Sequence, residues 1–270
     1  MKLFLLRCIH FILRRFVALD EKIYLIIEEK YKELEQKTDV SAPALKHKDG
    51  FWKGIGIITH AGGGLQGMNY LNCKEAFPQY YEAGNRVYEY DVYMDKHGSY
   101  YLSHSNDVEH LIDNRFTPLL IEGCLELIKR HKDIKVIFDC KFRVLGRFAA
   151  YLYERMNNEQ QLQRIAIQVF SVEDIIQVRQ VYDFKLLHVC MLETDYGAVA
   201  QTCLEYEIGA VSIPINGIRQ RNGWEIFVKK NICAFVYTVN TVVEYKEVKE
   251  KGLQGVFSDF LYDNDVAGLE

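Results

Sequence analysis

The sequence predicts an α/β fold, a (β/α)8 TIM barrel with an N-terminal helical extension. Three observations carry that reading. From residue 51 to residue 270, short apolar runs alternate with longer amphipathic stretches. Eight such strand-plus-helix units occupy roughly 220 residues, near the usual size of a single-domain barrel of this kind. No G-x-G-x-x-G follows the first strand, which argues against the rival fold, a doubly wound open sheet.

Taken in order, the first two expected strands are Ile55–Thr59 and Val87–Val92. Tyr100–Ser103 reads as the return arm of a hairpin from the second, with Asp95-Lys96-His97-Gly98 as its turn. Lys135–Asp139, Ile165–Val169, Leu186–Met191, Val211–Pro214, Ala234–Thr238 and Gly255–Phe257 complete the set. Between them, helical periodicity marks EGCLELIKRHK, LGRFAAYLYERM, VEDIIQVRQ and VVEYKEVKEKG.

The first fifth of the chain is of another kind. Residues 1–19, MKLFLLRCIHFILRRFVAL, carry Lys2, Arg7, Arg14 and Arg15 and no acid. On a helix Arg7 and Arg14 share one side, while Leu3, Leu6, Ile9, Leu13 and Phe16 crowd much of the rest. Such a segment suits peripheral membrane contact, its arginines on anionic headgroups. It suits equally a helix docked on the body of the protein or on a second subunit. Arg7 interrupts the apolar run and no small-x-small site follows, unlike a secretory signal. Residues 20–37 read as a second helix, capped by Asp20 and striped by Ile23, Ile26, Ile27 and Tyr31. A linker punctuated by Pro43 and Gly50 follows. The expected domains are therefore 1–49, two helices and a linker, and 50–270, the barrel.

Composition sets outer bounds. The chain has 270 residues, 49% hydrophobic and 26% charged, with 18 Gly and 4 Pro, which excludes disordered, collagen-like and small disulfide-scaffold proteins. A net charge of −4 gives no reason to expect a nucleic-acid partner. No run of about 18 uncharged apolar residues predicts a membrane-spanning helix. The seven cysteines are odd in number and form no C-x-x-C, so they read as reduced, mostly buried thiols. A cytoplasmic protein is expected, with the inner face of the membrane as the place residues 1–19 would take it. Oligomeric state is not legible.

In a barrel, the polar groups at the C-terminal ends of the strands form the active-site face. Thr59-His60 closes the first strand. Glu89 and Asp91, two positions apart, share one side of the second. His104 ends the hairpin arm, and Asp139 and Lys141 share a side at the end of the next strand. Clustered carboxylates are costly unless a cation offsets them. An all-oxygen donor set favours one hard divalent cation, Mg²⁺ or Ca²⁺, over zinc. Gly62-Gly63-Gly64 could bring backbone N–H groups to a phosphate, or could simply make a turn.

The motif order resembles the glycerophosphodiester phosphodiesterase family, relatives of the phosphatidylinositol-specific phospholipases C. His60-Ala61-Gly62 stands where that family has His-Arg-Gly, and LNCKEAF supplies Asn72, Ala76 and Phe77. YEYDVYMDKHGSYYLSHS supplies Glu89, Asp91 and His104, and Asp139-Cys140-Lys141 stands for Glu-x-Lys. Tyr237-Thr238-Val239-Asn240 and Ser258-Asp259 match Trp-Thr-Val-Asn and Thr-Asp. The match runs from about residue 55 to 262, with six short motifs in order.

The resemblance implies a metal-dependent phosphodiesterase acting on a glycerophosphodiester, lipid-derived or part of a glycerol-phosphate polymer. It implies His60 and His104 as general base and acid, Lys141 on the phosphate, and Glu89, Asp91 and Asp139 on the metal. Asn72, Gln168 and Tyr237 are candidate substrate contacts. An attacking substrate hydroxyl would give a cyclic phosphate, which water opens in a hydrolase and which is the product of a lyase. Several positions depart from the family. Ala61 replaces Arg, Asp139 is one methylene shorter than Glu, and Ser105, Leu71 and Tyr237 replace Asp, Glu and Trp. The departures point to a divergent branch with an altered substrate. The alternative is a silent barrel that binds a phosphorylated ligand or a protein partner.

Overall fold

A computed structural model describes residues 50–104, 115–142 and 144–269. The two helices expected at the N-terminus, the linker as far as residue 49 and Ser105 lie outside the described residues. Nine strands form one sheet: β1 Ile57–Thr59, β2 Val87–Met94, β3 Tyr100–Leu102, β4 Lys135–Cys140, β5 Ile165–Val169, β6 Lys185–Val189, β7 Ala210–Pro214, β8 Cys233–Tyr237 and β9 Gly255–Ser258. Neighbours run in the order β1-β9-β8-β7-β6-β5-β4-β2, and β1 also pairs with β2, so eight parallel strands close into a barrel. The ninth, β3, lies antiparallel on the end of β2. Every expected strand is present, with ends differing by one or two residues. The turn at 95–98 closes through Gly98 N–H to Asp95 O, and Asp95 Oδ1 accepts from the amides of His97 and Ser99.

The period of two along each strand divides the apolar side chains into two layers. One layer fills the barrel, with Ile58, Ile137, Ala166, Leu187, Phe235 and Phe257 among its members. Phe51 and Trp52, just ahead of β1, join this inner layer, and Trp52 packs 5.7 Å from Phe235 between ring centroids. The alternate residues, such as Tyr88, Phe138, Ile167, Val211 and Val236, face outward into a second layer under the helices. Each buried Val, Leu, Ile or Phe in these layers contributes roughly 1.5–3 kcal/mol.

The helices that cover the barrel are α1 Ala76–Glu82, α2 Ile121–Arg130, α3 Leu145–Met156, α4 Glu159–Leu162, α5 Val172–Arg179, α6 Tyr196–Glu205, α7 Ile215–Gln220, α8 Glu225–Lys229, α9 Val242–Glu250 and α10 Asp263–Val266. In α2, Ile121, Cys124, Leu125 and Ile128 make the buried stripe, at the spacing an amphipathic helix requires. Ser171, Asp195 and Thr241 cap α5, α6 and α9 with side-chain oxygens. The sequence pattern marked α2, α3, α5 and α9. It did not single out the shorter helices or α6, although Tyr196, Val199, Ala200 and Cys203 give α6 a buried stripe of the same spacing. Cys73, Cys124, Cys140, Cys190, Cys203 and Cys233 are free and buried, as expected of reduced thiols. Among the described residues no helix is long and apolar enough to cross a membrane.

Candidate active site

Strand register brings the acids together. In the parallel pairing of β2 with β4, Asp91 stands directly opposite Asp139, and Glu89 opposite Ile137 two residues lower. All three carboxylates are buried, and one oxygen from each lies within 4.8 Å of the others. Thr59 pairs with Tyr88, so the chain leaving β1 delivers His60 beside Glu89, with Nε2 3.9 Å from Glu89 Oε2. Lys141 Nζ lies 2.8 Å from Asp91 Oδ1 and also bonds Asp139 Oδ2. The cluster thus holds three acids against one lysine and one imidazole.

The surrounding backbone keeps these groups in place. Ala61 adopts a left-handed conformation, φ 47°, and its N–H donates to Glu89 Oε2 at 2.8 Å. Asn72 is fully buried: its Nδ2 donates to Asp91 Oδ2 at 3.0 Å and its Oδ1 accepts from the Asp91 amide at 3.1 Å. Asp259, at the end of β9, places Oδ1 2.7 Å from His60 Nδ1. Asn240 donates to the other Asp259 oxygen at 2.9 Å and accepts from the Asp259 amide at 2.8 Å.

The glycine run is a packed turn. Gly63 N–H donates to His60 O and Gly64 N–H to Asp259 O, so neither is available to a phosphate. A Cβ on Gly63, at φ 100°, would stand 2.4 Å from the Tyr80 ring.

Electrostatics follow from burial and crowding. Burial alone would lower the His60 pKa, but the bond to Asp259 and the charges of Glu89 and Asp91 outweigh it and raise the imidazole to about 9. Burial, reinforced by Asp91, pushes the Glu89 carboxyl up to about 8. Burial also raises Asp139, against the pull of Lys141. For Lys141, burial works downward, but Asp139 and Asp91 hold the ammonium above its ordinary value.

The expected site residues fall into three groups. His60, Glu89, Asp91, Asp139, Lys141 and Asn72 form one connected cluster. His104 is exposed, its ring 4.5 Å from Tyr70, and Tyr70 stands 5.0 Å from His60, so Tyr70 is interposed between the two imidazoles. Gln168 is buried on β5, and Tyr237 donates to Cys190 O at 2.6 Å at the mouth of β8. Two further residues belong to the site: Asp259, noted in the sequence only as part of a motif, and Tyr70, which no local pattern marks. A cavity of about 370 Å³ at the other end of the barrel, between Gly56, Arg86, Lys135 and Tyr245, contains none of the site residues.

A closed eight-stranded α/β barrel with an acid cluster and a held imidazole at its C-terminal mouth is the class defined so far. Solved structures narrow it. The chain is similar to a glycerophosphodiester phosphodiesterase from Parabacteroides distasonis, with a TM-score of 0.60 and 16% identity over 76% of this chain and 92% of that one. It is similar to one from Thermotoga maritima, with a TM-score of 0.58 and 19% identity over 75% and 93%. It is also similar to an Oleispira antarctica phosphodiesterase in complex with the product sn-glycerol-3-phosphate, with a TM-score of 0.62 and 13% identity over 80% and 96%. No family model and no curated protein sequence matches the chain. The protein has the fold of the solved glycerophosphodiester phosphodiesterases.

Proposed function

We propose that the protein is a divalent-metal-dependent phosphoric diester hydrolase acting on glycerophosphodiester-type substrates, lipid-derived or belonging to a glycerol-phosphate polymer. The observation that carries this reading is the meeting of three buried carboxylates with an imidazole held by Asp259, at the mouth of a barrel shared with known phosphodiesterases.

Glu89, Asp91 and Asp139 suit one Mg²⁺ or Ca²⁺. They offer only oxygen donors, and Asp139 Oδ1 is buried without a hydrogen-bond partner. When bound, the cation supplies charge stabilisation to the phosphate oxygens. The chain's own groups do the rest. Lys141 places a second positive charge beside the phosphate. His60, with Nδ1 committed to Asp259, uses Nε2 to take the proton of the attacking hydroxyl. The bond to Asp259 does most to raise the His60 pKa, with the charges of Glu89 and Asp91 adding to it, and that second part would shrink if those carboxylates held a cation. His104 donates a proton to the leaving alkoxide as its bond to phosphorus breaks. Where the attacking hydroxyl belongs to the substrate, a cyclic phosphate forms, and water opens it with the two histidines exchanging roles. Gln168 and Tyr237 border the bound alcohol, and Asn72 acts by fixing Asp91.

One observation favours a second reading, a barrel that binds a phosphorylated ligand without turnover. Lys141 already bridges Asp91 and Asp139, as a lysine would if it stood in place of a metal. A phosphorus NMR time course on the full chain separates the two. The samples would hold a panel of glycerophosphodiesters with Mg²⁺, Ca²⁺ or chelator, and His60→Ala would serve as control. Metal-dependent loss of the diester, absent in the variant, is the expected result. A monoester product means hydrolysis, and a persistent cyclic phosphate means a lyase. No turnover of any substrate would leave the second reading.

A further inference from the structure

Several well-exposed large apolar side chains gather in the loops that leave the C-terminal ends of three neighbouring strands. Among the described residues, Val144 follows β4, Phe170 follows β5, and Met191 and Leu192 follow β6. All four stand in loops on the C-terminal face. Of the others, Tyr70 stands beside His60, Leu120 and Val243 lie at the starts of α2 and α9, and Tyr153 and Val228 lie on α3 and α8. An exposed apolar cluster on a functional face marks something that covers it.

The position of the cluster says what that is. In the closed order β1-β9-β8-β7-β6-β5-β4-β2, β6 lies across the barrel from β1, and β5 lies across from β9. The rim formed by Phe170, Met191 and Leu192 therefore faces the strands that deliver His60 and Asp259. One wall of the mouth carries the charged groups and the opposite wall is apolar. Tyr237 joins the two: its ring lies 6.5 Å from Phe257 beneath His60, and its hydroxyl is bonded to Cys190 O and 3.9 Å from Met191 Sδ. The rim is also held in shape, because Arg221 Nη1 donates to the carbonyls of Leu192 and Thr194.

We infer that the alcohol on the far side of the phosphate carries an alkyl or acyl chain, and that Phe170, Met191 and Leu192 receive its first methylenes. With the phosphate on the acid cluster, a polar alcohol would leave this rim exposed to water, whereas a chain directed across the mouth covers it. The inference rests on the phosphodiesterase reading and narrows its substrate class to amphiphilic diesters.

A homologous series tests it. The full chain with Mg²⁺ or Ca²⁺ is given glycerol phosphodiesters of ethanol, butanol, hexanol and octanol, all below micelle-forming concentration, beside glycerophosphoglycerol. The expected result is a kcat/KM that rises about fourfold per methylene over the first few, the equivalent of about 0.8 kcal/mol each. Phe170→Ser with Met191→Ser should flatten the octyl-to-ethyl ratio, and Val228→Ser should leave it as it is. A flat series in a protein that cleaves the ethyl diester overturns the inference and leaves the phosphodiesterase standing. A flat series together with rim-dependent binding to phosphatidylglycerol vesicles also overturns it, because the rim would then seat on a membrane. If no diester is cleaved, the functional reading has failed. Calorimetric affinities for the same series then decide the rim separately: a rise with chain length supports it and a flat series ends it.

Discussion

Asp259 Oδ1 lies 2.7 Å from His60 Nδ1, so the last strand of the barrel holds the imidazole that the first strand delivers. The carboxylate is itself clamped by Asn240, so the pair is rigid before any ligand arrives. An anionic partner at Nδ1 selects the Nδ1–H tautomer and leaves Nε2 as the proton acceptor on the site side. It also stabilises the imidazolium.

Asp259→Asn should therefore lower kcat/KM by about 10²–10⁴-fold, the range of a general acid–base contribution. In cation-free protein it should also bring the His60 pKa down from about 9 toward the ordinary histidine value, followed by NMR titration. Wild-type turnover with an unmoved titration curve would remove Asp259 from the site.

Asn72 acts on Asp91 in a similar way, through two hydrogen bonds from full burial. Its φ of 43° would strain most replacements, so Asn72→Gly is the cleaner variant: it deletes the amide and keeps the backbone accessible. Cation affinity should fall about 10–100-fold, as for the loss of an outer partner of a metal ligand. Unfolding free energy should fall by roughly 1–3 kcal/mol from the unsatisfied buried carboxylate oxygen. Calorimetric titration and denaturant melts measure the two. A variant that binds the cation like wild type would show that Asp91 needs no such support.

Much of this site was legible because strand geometry is simple. Glu89 and Asp91 share a face whatever the rest of the chain does, and so do Asp139 and Lys141. Once the barrel is granted, β2 and β4 bring the pairs together. The contact between His60 and Asp259 was not legible from spacing, since 199 residues separate them and only barrel closure makes them neighbours. The dual bonding of Asn72 to Asp91 depends on a left-handed backbone that no periodicity reveals. The glycine run showed that the chain turns there, and the packing of Tyr80 explains why side chains are excluded.

His188 predicts how the fold responds to acid. It faces the outer layer from β6, and burial lowers its pKa to about 4, with only partial relief from the Val189 carbonyl and Asp174. Above pH 6.5 the folded and unfolded chains are both neutral here, and the full stability is present. Between pH 6.5 and 4 the unfolded chain takes up a proton that the folded chain refuses, so stability falls as pH drops, by about 3 kcal/mol at most. His188→Gln should remove that part of the acid-side loss. Denaturant melts at pH 7, 6, 5 and 4.5 would show the two proteins converging toward acid relative to their difference at pH 7. Parallel curves would mean that His188 does not titrate between those limits.

The acid cluster makes a prediction about protons that is independent of turnover. In the cation-free protein, burial and Asp91 raise Glu89, and the Asp259 bond with the neighbouring acids raises His60, so the pair as a whole keeps its protons to higher pH than free side chains would. A divalent cation needs the carboxylate ionised, so binding must expel the Glu89 proton and weaken the hold on the one at His60. Calorimetric titration with Mg²⁺ or Ca²⁺ in two buffers of different ionisation enthalpy should report release of about one proton or more per site. Apparent affinity should climb with pH and level off once pH passes the Glu89 value. Glu89→Gln should abolish both the proton release and most of the binding. Equal heats in the two buffers, with binding intact, would mean that the cation sits elsewhere. No binding at all would favour Lys141 as the permanent counter-charge of Asp91 and Asp139, and with it the barrel that binds its ligand without turnover.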